Sequence, residues 1–351
     1  MSTLTCRIRR SAALAVALAA GSTLAPAATA TAQPAPRTGP AVTTAPLAAG
    51  LYQSAYSERN RVLWATAAVG RPPVTDSALL RVDPRTLKVR SAHRPPVTDP
   101  ETGAVEAVYG VAVDDEHNTV WTTNTRDDSV AVYSQRDGRH LTTLHGVAHA
   151  REIVVDERHG TAWAGGFGDG TLVAFDTRTR EETKRVTVAG ASPAGLAVNE
   201  RTGTVYATDL AGDRIIALSP HAKAPKFLPA GDGPISVALS PDGRTAYTAN
   251  QAAGTVSVVN LRKGRVTRTV PTGEGALSVA TDPRSGRVLA ANRTAGDLTV
   301  IDPRRGTVVE RLAAGPHPNH VTVSRGTAYV VDKSKAGPRG EDQVHRLRLR
   351  R

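Results

Sequence analysis

The sequence predicts an all-β fold, a seven-bladed β-propeller with four-stranded antiparallel blades and a last blade closed by an N-terminal strand. Three observations predict it. A four-residue apolar phrase occurs seven times, and six of the copies start 42, 43, 41, 42 and 42 residues apart. Each copy is followed by a turn residue suited to positive φ and then by a second apolar run. The composition, with 31 Gly and 23 Pro against three Phe, suits many short strands joined by tight turns.

In chain order, the first element is a leader. Arg7, Arg9 and Arg10 form a basic start, 11–24 is small and apolar, and Ala30-Thr31-Ala32 offers a cleavage site before Gln33. Residues 1–32 are therefore expected to be a signal peptide, too short in its apolar run to remain as an anchor. An ordinary Sec start is preferred to a twin-arginine one. The only cysteine, Cys6, lies in this leader. The mature protein is then cysteine-free, without disulfide, thiolate metal site or cysteine nucleophile. Residues 33–40, rich in Pro, Ala and Thr, are expected to be a disordered spacer before a propeller spanning 41–351.

The phrases are Ser54-Ala55-Tyr56-Ser57, Val111-Ala112-Val113-Asp114, Ile153-Val154-Val155-Asp156, Leu196-Ala197-Val198-Asn199, Val237-Ala238-Leu239-Ser240, Val279-Ala280-Thr281-Asp282 and Val321-Thr322-Val323-Ser324. Asn60, Asn118 and five glycines from Gly160 to Gly326 mark the turns after them. A third alternating run, such as Thr255–Val259, and a more polar fourth, such as Arg265–Thr269, complete the repeat. Inner strands apolar on both faces are sandwiched between blades, and the polar fourth lies at the rim in water.

The segments Tyr247-Thr248-Ala249-Asn250, Tyr206-Ala207-Thr208-Asp209 and Leu289-Ala290-Ala291-Asn292 resemble the signature of the YVTN-repeat β-propeller family, the YncE-like secreted bacterial propellers. Ser240-Pro241-Asp242-Gly243-Arg244-Thr245-Ala246-Tyr247 is similar to that family's blade core. The resemblance spans nearly all of the mature chain. It implies an extracytoplasmic seven-bladed propeller used in binding or surface roles, without shared catalytic residues. Blade 3 departs from the pattern with Gly165-Gly166-Phe167-Gly168, and blade 1 is weaker still.

The last repeat stops after three strands. Leu47-Ala48-Ala49-Gly50 repeats Leu312-Ala313-Ala314-Gly315, so residues near 41–45 are expected to supply the missing outer strand of blade 7 and cover its edge. The terminal alternation through Leu347 and Leu349 reads as a strand, in preference to a basic nucleic-acid arm.

In this architecture the D–A and B–C connections share one face with the channel mouth, which is the expected binding face. Enlarged connections on that face are candidate recognition loops. The first interval between phrases is 57 residues long and contains two copies of one hexapeptide, beginning at Arg71 and Arg94. A long connection in blade 7 carries Lys333. The residues just before the phrases are Gln53, Gly110, Glu152, Gly195, Ser236, Ser278 and His320. Glu152 and His320 stand out among them, with Arg151 and Tyr109 one residue earlier in their repeats. Gln53, Tyr109, Arg151, Glu152, His317, His320, Arg71, Arg94 and Lys333 are therefore the candidate ligand-binding residues. Glu152 and His320 are the candidates for general acid–base work if there is chemistry. His317 and His320, like His145 and His149, have metal-like spacing but no third ligand, so no metal is assigned. Cofactors are likewise not assigned.

No motif determines a reaction. The leading expectation is a secreted, monomeric binding or scaffold propeller that takes a small polar ligand or a macromolecule on the loop-rich face. Alternatives are a lactonase- or lyase-like hydrolytic enzyme at the channel mouth, and a non-specific binder of DNA or anionic polymer. The net charge of +12, or +9 without the leader arginines, motivates the last. The arginines are scattered through every repeat, which favours a merely solubilising role.

Overall fold

The computed structural model describes residues 42–350. The expected signal peptide, its cleavage point and the spacer lie outside these residues. Seven four-stranded antiparallel sheets follow one another as blades. Their innermost strands A are Leu51–Ser57, Val108–Asp114, Ala150–Asp156, Pro193–Asn199, Pro234–Leu239, Ala276–Thr281 and Pro318–Ser324. Each phrase found in the sequence lies in one of them, except that Ser240 and Asp282 fall just past the strand ends. Among the described residues, no helix is long and apolar enough to cross a membrane.

Blade 7 is closed by an N-terminal strand as expected, although that strand is Thr43–Ala48 rather than residues near 41–45. Thr43–Ala48 pairs antiparallel with the third strand, Asp342–Arg348, with Thr44 opposite His345. The Thr44 hydroxyl and His345 Nδ1 are 2.9 Å apart.

The core consists of seven apolar seams, one between each pair of neighbouring blades. Trp121, Val130 and Val132 of blade 2 meet Ile153, Ala162 and Phe175 of blade 3. Leu51 and Leu63 of blade 1 meet Tyr329, Val331 and Val344 of blade 7, with Ala45 and Leu47 of the N-terminal strand packed alongside. Each large side chain fully buried in such a seam contributes about 1.5–3 kcal/mol. Burial on both sheet faces explains why the inner strands are apolar without alternation.

The A–B turns carry the expected left-handed residues, with Asn118 at φ 57° and Gly243 at φ 65°. Blade 1 differs. Its left-handed residue is Arg61 rather than Asn60. The Asn60 amide instead donates to Asn118 Oδ1 at 2.8 Å and Gln135 Oε1 at 3.0 Å, tying the turn to blade 2.

The two hexapeptide insertions pack together. Val97–Asp99 and Ala104–Val105 form a small extra hairpin. Val105 N donates to Val74 O and Glu106 N donates to Pro96 O. Val74 is buried with Ala68 and Ala107, and Tyr109 packs against them. The insertions thereby buttress one side of the channel mouth.

Candidate functional site

Every strand A has a bulge just ahead of its phrase. In blades 1 to 4 two residues oppose one of strand B: Tyr52-Gln53, Tyr109-Gly110, Arg151-Glu152 and Ala194-Gly195. In blades 5 to 7 one residue is extra: Ile235, Leu277 and Asn319. A bulge takes residues off the ladder and re-aims their side chains. Here it forms two levels, a mouth ring and a belt beneath it.

The belt joins blade to blade. Val111 N donates to Gln53 Oε1, Val279 N to Ser236 Oγ and Val321 N to Ser278 Oγ, each at 3.2 Å. Ser54 N donates to His320 Nδ1 at 3.3 Å. Each such side chain satisfies an amide of the following blade's phrase, and a bond of this kind contributes about 1 kcal/mol. His320 is thus part of the ring closure between blades 7 and 1. Burial lowers its pKa to about 4, so the ring is neutral near pH 7, with its proton on Nε2. Gly110 and Gly195 have no room for a side chain. A Cβ at Gly195 would lie 2.6 Å from Ser236 Cα.

Glu152 breaks the pattern. Its Oε2 accepts from Gln53 Nε2 at 2.8 Å, so a blade 3 carboxyl reaches blade 1 past the glycine of blade 2. Burial raises its pKa to about 7 against the opposing effects of Gln53 and Arg151. It therefore exchanges a proton in the neutral range. The structure does not bring Glu152 and His320 into contact. Each instead bonds to blade 1, at the adjacent residues Gln53 and Ser54.

Above the belt, the mouth has two chemically different arcs. The polar arc runs from blade 6 through 7, 1 and 2 to blade 3. Arg293 donates to Asn319 Oδ1 at 2.6 Å, and Asn319 Nδ2 donates to Tyr52 O at 2.8 Å. Lys333 Nζ lies 5.2 Å from the centre of the Tyr52 ring, which meets Tyr109 edge-on at 5.0 Å. Arg151 lies over Phe167 at 5.5 Å. Burial, and the nearby charges of Arg293 and Lys335, lower the Lys333 pKa despite Asp342. The opposite arc is apolar, with Phe167, Leu210 and Leu277 packed against Ala194 and Ile235.

The other candidates lie away from this ring. His317 is exposed, and its backbone bridges Asp332 and Lys333. Arg94 is exposed and donates to Gly103 O within the insertion at 3.2 Å. Arg71 is exposed, and its side chain makes no hydrogen bond or ion pair among the described residues. Tyr52, Asn319, Arg293 and Phe167 are mouth residues that sequence reasoning did not pick out. A signal existed for each. Tyr52 and Asn319 share the repeat column of Tyr109 and Arg151. Phe167, Leu210, Arg293 and Lys333 share the column just after strand B.

No family model matches the chain. Against curated proteins it is 25% identical over 237 residues to the uncharacterized protein YncE of Escherichia coli O157:H7, covering 63% of this chain and 65% of that one. Against the uncharacterized protein YncE of Salmonella typhimurium it is 24% identical over 233 residues, covering 62% and 64%. The chain thus spans just under two thirds of the length of these curated relatives. It is a seven-bladed propeller similar to YncE.

Proposed function

We propose that the chain is a secreted YVTN-repeat propeller that binds a small ligand with an anionic end and an apolar or aromatic body at the channel mouth. One observation carries this reading. The mouth ring sets Arg293, Lys333 and Arg151 with two tyrosines against an apolar arc of Phe167, Leu210, Ile235 and Leu277. Burial first, then the charge of Arg293, disfavours the charged state of Lys333, and a ligand anion relieves that cost. Concave sites lined by apolar groups with a few convergent polar ones are the usual form of small-molecule sites.

A thermal-shift panel of aromatic and aliphatic carboxylates tests the reading. A ligand at 100 times its Kd stabilises the protein by about 2.7 kcal/mol. At least one carboxylate is expected to raise the Tm of the wild type, and Lys333→Gln with Tyr52→Ala is expected to abolish that shift. No shift across the panel, or a shift kept by the double variant, overturns it. Glu152 supports the hydrolytic alternative, because a carboxyl titrating near 7 beneath a ligand is placed for general acid–base work. Loss of turnover, with binding retained, in Glu152→Gln would favour that alternative.

A further inference from the structure

The face opposite the mouth, where the A–B and C–D turns emerge, carries four consecutive clefts between blades. The cleft between blades 4 and 5 has a volume of about 600 Å³ and is lined by Arg201, Arg244 and Arg262. The next, about 580 Å³, has Arg268, Arg284 and Arg304. The cleft between blades 6 and 7, about 530 Å³, has Arg284, Arg325, Arg348 and Arg350. The last, between blades 7 and 1, is about 500 Å³ and has Arg61, Arg85, Arg90 and Arg325.

Most of this charge is uncompensated. Among the described residues, only Arg90, Arg325 and Arg350 of these arginines form an ion pair, while Arg244 and Arg304 lie within electrostatic reach of Asp242 and Asp302. Arg268 donates to Arg304 O and Arg284 to Arg325 O, each bridging to the next blade through a carbonyl that leaves the cation unneutralised. Glycine turns make room for these crossings, since a Cβ at Gly306 would lie 2.6 Å from Arg268 Cδ. The side chains are thus held in place with charge to spare. The aspartates in the clefts, such as Asp242 and Asp282, accept from their own turns.

The same face in blades 2 and 3 is mixed in charge, with Asp115, Glu116, Asp137, Glu157 and Glu181 set among Arg136, Arg139, Arg158, Arg178 and Arg180, and Glu200 follows in blade 4. Burial first, then repulsion from neighbouring carboxylates such as Asp115 and Asp156, raises the pKa of Glu157 and Glu200. The basic surface is therefore a bounded arc.

We propose that this arc binds a linear polyphosphate chain, its phosphates seated in successive clefts. Guanidinium forks match phosphate oxygens two at a time. Hydroxyls of Thr245 and Thr327 line the clefts and suit the remaining oxygens of a tetrahedral group. Of the tyrosines there, Tyr206, Tyr247 and Tyr329 are at most 9% exposed and offer a phenol edge but no ring face for stacking a base, while the half-buried Tyr56 lies parallel to Tyr329 with ring centres 5.9 Å apart. Three of the four clefts thus offer recognition through phosphate without base stacking. This surface is independent of the mouth reading, which concerns the other face.

The test measures binding of labelled long-chain inorganic polyphosphate to the full chain at several salt concentrations. The exposed residues of Arg284→Gln/Arg304→Gln/Arg348→Gln remove three forks without touching the core. Arg136→Gln/Arg139→Gln/Arg178→Gln removes equal charge from blades 2 and 3 of the same face. The first triple variant is expected to weaken binding roughly 10- to 100-fold and to reduce the slope of log Kd against log salt by about 2, while the second changes Kd less than about threefold. Equal losses in both triples overturn the proposal. So does equal binding of polyglutamate, or binding of single-stranded DNA but not of polyphosphate. Loss of polyphosphate binding in Lys333→Gln would place the polymer at the mouth and also overturn it.

Discussion

Glu152 is a site residue whose environment moves it far from its ordinary chemistry. Its pKa rises from 4.5 to about 7 because burial opposes the charged form more than Gln53 and Arg151 support it. The folded value lies above the unfolded one. Its stabilising contribution is therefore complete below pH 4.5 and is lost as pH rises through 7. Glu152→Gln keeps an acceptor and removes the titration. The variant is expected to match the wild type near pH 4 and to exceed its stability at pH 8 by on the order of 2 kcal/mol, allowing for water at the mouth. Urea unfolding at pH 4, 6 and 8 reads the difference, and a gap that does not change with pH counts against the buried carboxyl. His320 shows the limit of reasoning from residue type alone. An imidazole on a mouth column suggests chemistry, but its Nδ1 accepts the Ser54 amide and so belongs to the ring closure.

The bulged strand A is the element that makes the site. Without the bulge, successive side chains would alternate between the two faces of the blade. With it, Tyr109 and Gly110 both leave the ladder against Thr123. Thr123 Oγ1 accepts from Gly110 N at 2.8 Å and donates to Arg151 O at 3.2 Å, so one hydroxyl ties the bulge of blade 2 to blade 3. A Cβ at Gly110 would lie 2.7 Å from that hydroxyl and 2.8 Å from Arg151 O. Gly110→Ala is expected to destabilise by about 1–3 kcal/mol. It is also expected to return the Glu152 pKa toward 4.5, because displacing Arg151 opens the Gln53 contact to water. Chemical denaturation and carboxyl titration by NMR check both effects, and an unchanged melt would mean the bulge tolerates the methyl. The four-residue phrases and their turns were legible in the sequence, because period and glycine position report the hairpin directly. The bulge was not, since its residues range from Tyr-Gln to Ala-Gly and share no type. Tyr52 and Asn319 were missed for that reason.

Ring closure is a property of the whole propeller. The strand Thr43–Ala48 completes blade 7, and Ala45, Leu47 and Ala48 pack on the seam between blades 7 and 1. Deleting residues 1–49 removes this strand and exposes the edge of Asp342–Arg348. Deleting 1–40 removes nothing of it. The longer deletion is expected to lower the Tm by at least 10 °C or to aggregate through the bared edge, while the shorter one matches the full chain. Equal Tm values for the two truncations would show that closure does not rest on this strand. The ring also reorders charge. Arginines spread through the repeats of the sequence gather in space, because turns from successive blades emerge on one face.

The sequence by itself determined the blade count, the hairpin turns and the strand exchange that closes the ring. These depend on period, on left-handed turn residues and on a missing last strand, which are all local or periodic signals. Only the tertiary structure decided which side chains meet at the mouth, that Gln53 spans from Glu152 to the blade 2 backbone, and that arginines far apart in the chain share one arc. Such contacts join residues 41 to 266 positions apart. A repeat pattern says that equivalent positions exist in every blade, but the bulge and the twist of each blade set where those positions point.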